Sequence, residues 1–579
     1  MKVLLKKIRR AREIRLKRGW HGVFQHLKQI KRILRERGKY RRYIKKFEFL
    51  MVADRRKILQ NIENFSYKPL ISVVMPVYNV EEKWLRLCIE SVTKQIYTNW
   101  EFCIADDASP SPRVREILEE YAAEDSRFKI VFRETNGHIS AASNSALELA
   151  TGDFVALLDH DDELRETALY HVAKEINGHP ETEMIYSDED LIDERGRRSL
   201  PKFKPDWSPD FFYSLNLITH LSVYRTAILR KIGGFRLGTE GSQDYDLALR
   251  VTEEISAENI RHIPRILYHW RAIQGSVAFD AGEKPYAHNR AKQAIREHFE
   301  REKIAAKVTN GYSHLHRAVY EIPEKTFISI ILFAENSARS EKILAKIANK
   351  NIEIIAVGKK TINFPRVKFI EMRKTIAESL NRAAAESKGD VLIFLDADIE
   401  PLNENWAREL ASFAMQKEIG AVGGKVLNAD KSIRNAGIIL GINGAVGFAH
   451  RNFPADVTGD FLRAVVINNF SAVSGAFAVR REIFGGGFDA ENFPNGLFEI
   501  DFCLRLREQN LRNVFTPYAE FLQTTESATE KVLRKNSAEV SRFKEKWKSV
   551  LECDPFYNPN FSLTGETFSI SRAPRISKF

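Results

Sequence analysis

The sequence predicts an α/β protein in which a basic helical N-terminal segment precedes two tandem domains with mostly parallel sheets. Short apolar runs alternate with segments of helical periodicity, which is the pattern of βαβ units. The same order of elements occurs twice along the chain. The chain has 579 residues, and a single core stops growing at about 250–300 residues, so two globular domains are expected.

Four apolar runs are the predicted strands of the first unit, and each is bounded by polar residues or by Gly and Pro. The predicted strands are residues 71–75, 102–105, 128–132 and 154–158. The helical patterns between them cover residues 81–95, 114–123 and 141–150. The strands are apolar runs, as expected for buried parallel strands.

The second unit repeats this order. Its predicted elements are strands at 327–333, 352–357 and 391–395 and a helix at 377–385. Ala150-Thr-Gly-Asp-Phe-Val-Ala-Leu-Leu-Asp159 and Ser387-Lys-Gly-Asp-Val-Leu-Ile-Phe-Leu-Asp396 are parallel copies. We therefore expect a duplicated domain. The expected segments are a basic helical arm (1–66), a first domain (67–312), a second domain (313–535) and a tail that packs on the second domain (536–579).

The N-terminal segment carries most of the positive charge. The net charge is +12, and residues 1–58 hold 22 Lys or Arg against four acids, which leaves the remaining chain close to −6. Apolar residues recur among these cations at roughly helical spacing. Three interpretations remain open: an anionic membrane surface as partner, a solvated arm or packing helix, and nucleic-acid binding. Nucleic acid is not the expected partner, because no known nucleic-acid module follows.

The composition also limits the location and class of the protein. No apolar run reaches about 18 residues, and the N-terminus lacks the apolar region of a signal peptide. The four cysteines form no close-spaced pair, which argues against a zinc ribbon or a disulfide framework and fits a reducing cytosol. A cytoplasmic protein is therefore expected, peripheral on the cytoplasmic face of the cell membrane.

Acidic residues follow two of the predicted strands. Asp106 and Asp107 end the second strand, and Asp159, Asp161 and Asp162 follow the fourth. Ligands of open α/β sheets bind outside the carboxyl ends of the strands. Asp159 and Asp161 are spaced so that both can face one hard cation, which prefers carboxylate oxygens. The alternative is a solvated acidic turn.

Five separated motifs follow one another along the chain. They are Pro76-Val-Tyr-Asn79, Asp106-Asp-Ala-Ser109, Leu158-Asp-His-Asp-Asp-Glu-Leu164, Gly241-Ser-Gln-Asp-Tyr-Asp-Leu247, and Tyr268-His-Trp-Arg271 with Gly275-Ser276. Over residues 70–560 the chain resembles family 2 glycosyltransferases with the GT-A fold. Among these it is most similar to bacterial tandem enzymes of surface polysaccharide assembly, including rhamnosyltransferases. The resemblance implies two GT-A-like domains.

The resemblance also implies a nucleotide-sugar site. Pro76 and Tyr78 would line the nucleobase pocket, and Asp106 and Asp107 would belong to the same donor site. Asp107 would accept a hydrogen bond from N3 of uracil or thymine, so UDP- or dTDP-sugars are the implied donors. The alternatives are that Tyr78 is a core aromatic and that Asp107 caps the helix that follows.

The implied catalytic and metal residues lie at later motifs. Asp159, which would also contact the donor, and Asp161 would hold Mn²⁺ or Mg²⁺ under the diphosphate, with His269 as third ligand. Asp244 resembles the general base that deprotonates the acceptor hydroxyl, so inversion at the anomeric carbon is implied. The alternative carboxylate is Asp246. Trp270 would stack on a sugar of the acceptor or belong to the core.

The second unit departs from these motifs. Asp396 and Asp398 keep the acidic pair, and Glu499 stands where Asp is usual. Gly358-Lys359 replaces the Asp-Asp pair, and Gln523 replaces the late histidine. The second domain is therefore either a divergent second transferase or a degenerate copy that binds glycan or stabilises the first domain, and we favour the degenerate copy.

The sequence as a whole predicts an inverting, metal-dependent hexosyltransferase-type enzyme that acts on a lipid-linked surface glycan. Its predicted partners are a UDP- or dTDP-sugar, the glycan acceptor and an anionic membrane surface that binds residues 1–58. Alternatives are a bifunctional transferase with two active domains, a nucleotidyltransferase, and a non-catalytic, membrane-tethered scaffold of glycan assembly.

Overall fold

The computed structural model describes residues 31–273, 285–334, 337–347, 352–358, 364–396 and 398–579. Residues 1–30 of the predicted arm, the Gly275-Ser276 pair and Lys359 lie outside this part of the chain. The described chain begins with helix α1 (31–43), a short π-helical stretch (Ile44–Glu48) and helix α2 (Val52–Glu63). Two α/β domains follow.

The first domain is built on one large sheet. Its strands are β1 (Ile71–Val77), β2 (Trp100–Asp106), β3 (Phe128–Phe132), β4 (Phe154–Leu157), β5 (Glu163–Leu164), β6 (Met184–Ile192), β7 (Arg198–Lys202), β8 (Ser222–Arg225) and β9 (Ile260–Arg271). Its helices are α3 (Glu82–Thr93), α4 (Pro112–Glu124), α5 (His138–Leu149), α6 (Ala168–Gly178), α7 (Pro209–Phe212), α8 (Thr226–Lys231), α9 (Gln243–Thr252) and α10 (Pro285–Arg301). The hairpin β10 (Ala306–Asn310) and β11 (His316–Tyr320) leads to the second domain.

The second domain is built on a second large sheet. The strands of this sheet are β12 (Ile328–Phe333), β13 (Ile352–Gly358), β14 (Val367–Glu371), β15 (Val391–Asp396), β16 (Ile399–Pro401), β17 (Ile419–Leu427), β18 (Ile433–Asn435), β21 (Asn468–Phe470), β22 (Phe477–Arg480) and β23 (Arg512–Gln523). Strands β19 (Ile438–Leu440) and β20 (Val446–Phe448) form a separate two-stranded sheet. The helices of the second domain are α11 (Ser337–Ile347), α12 (Ile376–Glu386), α13 (Trp406–Ala414), α14 (Phe498–Glu508), α15 (Ala528–Lys535), α16 (Ala538–Lys546) and α17 (Lys548–Glu552).

The two large sheets have the same topology. The first runs β3-β2-β1-β4-β8-β6-β9-β5, and the second runs β14-β13-β12-β15-β22-β17-β23-β16. In both, the first four strands of the path are parallel and the next strand is antiparallel to them. The predicted fold class and the predicted duplication are therefore confirmed. Strands and helices predicted in the first unit begin and end within three residues of the observed ones.

The repeated Gly-Asp pair has a structural role in both domains. Gly152 N donates to Ser72 Oγ at 2.9 Å, and Gly389 N donates to Ser329 Oγ at 2.7 Å. The Asp that follows each Gly accepts a bond from the backbone just before the first strand, at 2.8 Å in both domains. This pair thus attaches the fourth strand to the first, which explains why it recurs in both units.

A Cβ atom at Gly152 has no room. It would lie 2.5 Å from Leu70 O and 2.6 Å from Ser72 Oγ. We expect Gly152→Ala to lower the free energy of unfolding by about 1–3 kcal/mol, the usual penalty of overpacking, and urea denaturation measures it. Gly178→Ala is the control, since a Cβ there meets nothing within 4 Å. Equal stability of the two variants would contradict the packing argument.

The two domains share apolar core and polar contacts. Asp210 in α7 accepts a hydrogen bond from Asn469 Nδ2 at 2.8 Å and forms an ion pair with Arg512 at 3.0 Å. Phe211 packs edge-on against Phe461 of the second domain, with ring centroids 5.5 Å apart. Because Asp210 is buried, its charge requires these partners. The second domain therefore contacts the first through a buried ion pair, a hydrogen bond and aromatic side chains.

The C-terminal tail contacts the second domain, on which it was predicted to pack, and it also contacts the first domain. Asn558 Nδ2 donates to Asp188 Oδ2 of strand β6 at 3.0 Å, and Asn560 Nδ2 donates to Pro264 O at 2.9 Å. Leu440 N donates to Asp554 in the second domain. Buried Asp188 needs hydrogen-bond donors, and sequence periodicity does not indicate which distant segment supplies them.

The N-terminal helices also pack on the globular body. Tyr40 and Tyr43 are buried in one apolar cluster with Phe203 of the first domain and Phe561 of the tail. The Tyr40 hydroxyl donates to Asp190 of β6. Residues 31–63 are helical as predicted, but they are not a detached arm, because their aromatic side chains are buried against the first domain and the tail.

Candidate functional site

A cleft of about 840 Å³ lies at the carboxyl ends of the central strands of the first sheet. Binding pockets for small molecules usually have about 300–1,000 Å³. The cleft brings together most of the residues predicted for the site. Those that line it are Pro76, Tyr78, Asp107, Asp159, Asp161, Asp244 and Trp270.

Tyr78 follows strand β1 and opens into the cleft. Its side chain is 47% exposed, so the alternative that Tyr78 is a core aromatic is wrong. The backbone N–H of the neighbouring Asn79 donates to Ser109 Oγ at 2.8 Å. This hydrogen bond connects the turn after β1 to the turn after β2. An exposed aromatic ring on a fixed turn is suited to stack on a planar ligand.

Asp107 is buried at the wall of the cleft. Its Oδ1 accepts hydrogen bonds from Arg133 Nε at 2.8 Å and from Gly137 N, at the start of α5, at 2.9 Å. Helix α4 begins at Pro112 after Ser111, so the alternative that Asp107 caps this helix is wrong. The carboxylate is thereby held in one orientation in the cleft.

Asp106 does not line the cleft. Its carboxylate accepts hydrogen bonds from the hydroxyl and the backbone N of Ser109. It stabilises the turn that presents Asp107. The prediction that Asp106 contacts the donor is therefore corrected to a structural role, since both residues follow the same strand and only one can face the cleft.

The loop after β4 is held by strand β9. Asp162 is fully buried and accepts hydrogen bonds from Tyr268 Oη and from Arg271 N, both at 2.6 Å. Burial, with the neighbouring charges of Asp161 and Asp159, raises the pKa of Asp162 well above its ordinary value. Asp162 therefore fixes the shape of the loop that carries Asp159 and Asp161.

Three possible metal ligands lie together at this loop. In the part of the chain that the structure describes, ligand atoms of Asp159, Asp162 and His220 lie within 4.8 Å of one another. Carboxylate oxygens suit Mg²⁺ or Mn²⁺. Burial lowers the pKa of His220 to about 4, so its ring is neutral near pH 7, the form that binds metals. The chemistry of this set fits a divalent cation.

His269 lies on the other face of strand β9. Side chains alternate along a strand, and His220 stacks on Tyr268 at 4.5 Å and lies edge-on to Trp270 at 5.6 Å. His269 Nδ1 instead lies 2.6 Å from Asp190 Oδ1. The predicted third metal ligand is therefore bound to Asp190, and His220 rather than His269 lies with Asp159 and Asp162.

Asp244 lies in the first turn of helix α9. Gly241 has a φ of +89°, and its N–H donates to Gln243 Oε1 at 2.8 Å, which forms the sharp turn before the helix. Asn216 Nδ2 donates to Asp244 Oδ2 at 3.0 Å. Burial raises the pKa of Asp244 and the bond from Asn216 opposes this rise. A carboxylate with a raised pKa is a better proton acceptor.

Asp246, the alternative base, has a structural role. It is fully buried and forms ion pairs with Arg236 and with Arg250, the latter at 2.9 Å. The second domain repeats this pair, since Asp501 binds Arg505 four residues later at 2.9 Å. Asp246 is thus part of the fold, which leaves Asp244 as the carboxylate of α9 that faces the cleft.

The corresponding cavity of the second domain is small. It measures about 60 Å³, which is below the usual size of a ligand pocket. Asp396 and Glu499 both line it. Burial raises the pKa of Glu499 to about 8, and burial with the charge of Asp398 raises the pKa of Asp396.

Side chains that line the cavity of the second domain bind partners within the chain. Gln523 Nε2 donates to Asp398 Oδ1 at 3.1 Å. Arg434 pairs with Glu530 at 2.8 Å, and Glu530 caps helix α15 together with Ser527. The late histidine of the motif is thus replaced by an amide that already binds one of the two acidic residues.

Sequence reasoning missed Arg133, Asn216 and His220. Arg133 follows strand β3 directly, and a cation at that strand end is a signal that could have been used. Asn216 lies 28 residues before Asp244, and it and His220 lie between α7 and β8 in a loop without a motif. Only the fold brings this loop to the cleft.

The chain is similar in sequence to known proteins. A sequence model described as glycosyl transferase family 2 matches residues 72–233 and 310–485, more than half of the chain. The uncharacterized protein y4gI of Sinorhizobium fredii is 38% identical over 88% of this chain. The O-antigen biosynthesis protein RfbC of Myxococcus xanthus is 32% identical over 89% of this chain. The chain spans 59% and 42% of the length of these two relatives.

A solved structure is similar at lower identity. The crystal structure of S. aureus TarS 1–349 in complex with UDP-GlcNAc has a TM-score of 0.32 and 21% identity, and the match covers 40% of this chain and 72% of that chain. Among the described residues, no helix combines the length and apolar character needed to cross a bilayer. The family model matches both domains, so the predicted resemblance is confirmed and the chain belongs to glycosyl transferase family 2.

Proposed function

We propose that the first domain transfers a sugar, with inversion, from a UDP- or dTDP-sugar to a hydroxyl group of a surface glycan. One observation carries this proposal. The cleft joins an exposed aromatic ring (Tyr78), a fixed carboxylate (Asp107), an acidic loop (Asp159 and Asp161) and a proton acceptor (Asp244). These are the groups needed to bind a nucleoside diphosphate sugar and to activate a hydroxyl.

The nucleobase is assigned to the Tyr78 and Asp107 end of the cleft. Because Arg133 and Gly137 both bind Oδ1 of Asp107, the carboxylate needs no reorganisation on binding. A carboxylate favours a base with an N3–H donor, as in uracil and thymine. Pro76, beside Tyr78, completes this end.

The diphosphate is assigned to the acidic loop. Asp159, with Asp161 of the same loop and His220, would hold Mn²⁺ or Mg²⁺. Both oxygens of Asp162 instead accept hydrogen bonds from Tyr268 and Arg271. When bound, the cation supplies neutralisation of the negative charge that develops on the leaving diphosphate. Both Mn²⁺ and Mg²⁺ are proposed as the bound cation.

The chemical step follows from the place of Asp244. Asp244 accepts the proton of the acceptor hydroxyl as the oxygen forms a bond to the anomeric carbon. The bond from that carbon to the diphosphate oxygen breaks on the opposite face, and the nucleoside diphosphate leaves. Asn216 orients the accepting carboxylate, and Trp270 offers a ring for stacking on the acceptor sugar.

The second domain is proposed to be a degenerate copy that stabilises the first domain. The bond from Gln523 to Asp398 and the small cavity support this proposal. The contacts of Asp210 with Asn469 and Arg512 support the stabilising role.

A lipid-linked glycan at the cytoplasmic membrane face is the proposed acceptor. The name of the relative RfbC includes O-antigen biosynthesis, which supports a surface polysaccharide. The exposed cations of residues 31–57 support a position at an anionic surface.

A donor screen tests the proposed function. Purified protein is incubated with Mn²⁺ and each of a set of UDP- and dTDP-sugars, with and without lipid-linked acceptors, and nucleoside diphosphate release is measured. Release from one donor that increases with an acceptor supports the proposal. If no nucleoside diphosphate were released with any donor and acceptor, the non-catalytic scaffold would be favoured.

Replacing Asn216 with alanine should shift the pH profile of the reaction. The bond from Asn216 favours the charged form of Asp244, so its loss raises the pKa of Asp244 further above its ordinary value. Activity needs the carboxylate, so it is present above this pKa and is lost as the pH falls through it. The acid limb of kcat/KM should therefore move to higher pH.

The control for this shift is Asn405→Ala, an exposed asparagine of the second domain. Both variants are measured from pH 4 to 9 with the donor found in the screen. An acid limb that coincides with that of the unmodified protein would contradict the positioning role of Asn216.

A further inference from the structure

The N-terminal helices present a surface whose exposed charges have one sign. In the described residues 31–58, every exposed charged side chain is Lys or Arg. These residues are Lys31, Arg35, Arg37, Arg41, Arg42, Lys45, Lys46, Arg55, Arg56 and Lys57. A surface of this kind attracts a densely negative partner.

The acids of this segment are neutralised within the fold. Each of them pairs with a cation and is at least partly buried: Glu36 with Lys39, Glu48 with Arg198, and Asp54 with Lys578. No exposed carboxylate is therefore left among residues 31–58 to oppose the field of the cations.

Large apolar side chains lie on the same surface. Phe49, Met51 and Val52 are 67%, 57% and 77% exposed in the turn between the π-helical stretch and α2. Ile33, Leu34 and Leu59 are also exposed, so six of the thirteen exposed large apolar residues of the described chain fall within residues 33–59. A concentration of this kind marks an interaction site.

This surface is attached to the first domain by side chains that follow strand β5. Arg165 Nη2 donates to Glu48 O at 3.0 Å, and Arg55 pairs with Glu166. Arg165 and Glu166 lie four and five residues after Asp161 in the chain. The apolar turn is therefore attached to the segment that follows the acidic loop.

We propose that residues 31–59 form a docking surface for an anionic lipid bilayer, with Phe49, Met51 and Val52 inserted among the headgroups. The cations fit acidic headgroups, and the apolar turn fits the boundary of the acyl chains. Nucleic acid would use the cations but gives no reason for exposed aliphatic side chains. The purpose of docking rests on the proposed transfer to a lipid-linked acceptor, whereas lipid binding itself is measured without turnover.

The test is co-sedimentation of the full chain with vesicles. One set contains phosphatidylcholine, the other phosphatidylcholine with 30% phosphatidylglycerol, at 50 and 500 mM NaCl. The turn variant replaces Phe49, Met51 and Val52 with serine, and the charge variant replaces Arg41, Arg42, Lys45 and Lys46 with glutamine. These side chains are exposed, so both variants should fold.

Two control variants match these changes. Leu200→Ser with Leu237→Ser removes apolar side chains that are 53% and 68% exposed elsewhere. The second control replaces four exposed cations of the second domain with glutamine: Arg408, Lys417, Lys431 and Lys535. Both controls should bind acidic vesicles as the unmodified protein does.

The unmodified protein should bind the acidic vesicles, and salt should weaken binding. The turn variant should lose at least about tenfold in affinity, and each removed cation about fivefold. The proposal would be overturned if both variants bound vesicles as strongly as the unmodified protein. It would also be overturned if the unmodified protein did not bind vesicles but formed a dimer that was lost in the turn variant.

Nucleoside diphosphate release, measured in parallel, separates the two proposals. Release that persists without vesicle binding would overturn the docking surface alone. Vesicle binding without release in the complete screen would overturn the proposed transfer alone.

Discussion

Replacing Asp244 with asparagine should lower kcat by about 10²–10⁴-fold, the usual contribution of a general base. An amide keeps the size of the side chain and still accepts the hydrogen bond from Asn216, but it cannot take the proton of the acceptor hydroxyl. Donor affinity should stay close to that of the unmodified protein. The measurements are product formation for kcat and calorimetry for the donor.

The second domain offers a matched control for this variant. Glu499 occupies the corresponding place in helix α14, two residues before the structural Asp501. Glu499→Gln should leave kcat unchanged, because its cavity is only about 60 Å³. Full activity of Asp244→Asn would remove the base assignment, and an equal loss in Glu499→Gln would show that the second domain takes part in the reaction.

The second large effect is expected at Asp159. Asp159→Asn removes a carboxylate from the group formed with Asp162 and His220. A bound cation contributes several kcal/mol of charge stabilisation to such a reaction, so kcat should fall by at least about 10²-fold. Mn²⁺ affinity, measured by calorimetry without donor, should also fall.

The control for Asp159 is Asp396→Asn, the same position of the duplicated motif. Gln523 already binds the neighbouring Asp398, so this change should leave both kcat and Mn²⁺ affinity near the values of the unmodified protein. If Asp396→Asn abolished a second, distinct sugar addition, the degenerate assignment of the second domain would be wrong. If Asp159→Asn bound Mn²⁺ unchanged, the acidic loop would not be the metal site.

The sequence predicted the elements that local patterns determine. Strand β3 has the predicted bounds, Phe128–Phe132, because its mostly apolar run is bounded on both sides by polar residues. The motif residues that end strands, such as Tyr78 and Asp159, line the cleft as predicted. Topology brings the carboxyl ends of parallel strands to one edge, so these positions follow from the fold class.

The predictions that differ from the structure depend on distant contacts. His269 and Tyr268 are neighbours in sequence, and only the pairing of β9 with Asp190 decides which of them faces the acidic loop. Asp106 and Asp107 are also neighbours in sequence, and of the two only Asp107 lines the cleft. His220 carries no local signal, because its loop reaches the cleft through the fold.

The contact between Asn558 and Asp188 spans 370 residues, with the second domain between them. At about 5–20 residues per second, a ribosome needs about 20–70 s to synthesise that length. The sheet of the first domain is therefore complete in sequence long before the tail that covers its β6 and β9 strands exists. Until the tail has been synthesised, Asp188 lacks the hydrogen bonds from Asn558, so the first domain reaches its final form only after the second domain has emerged.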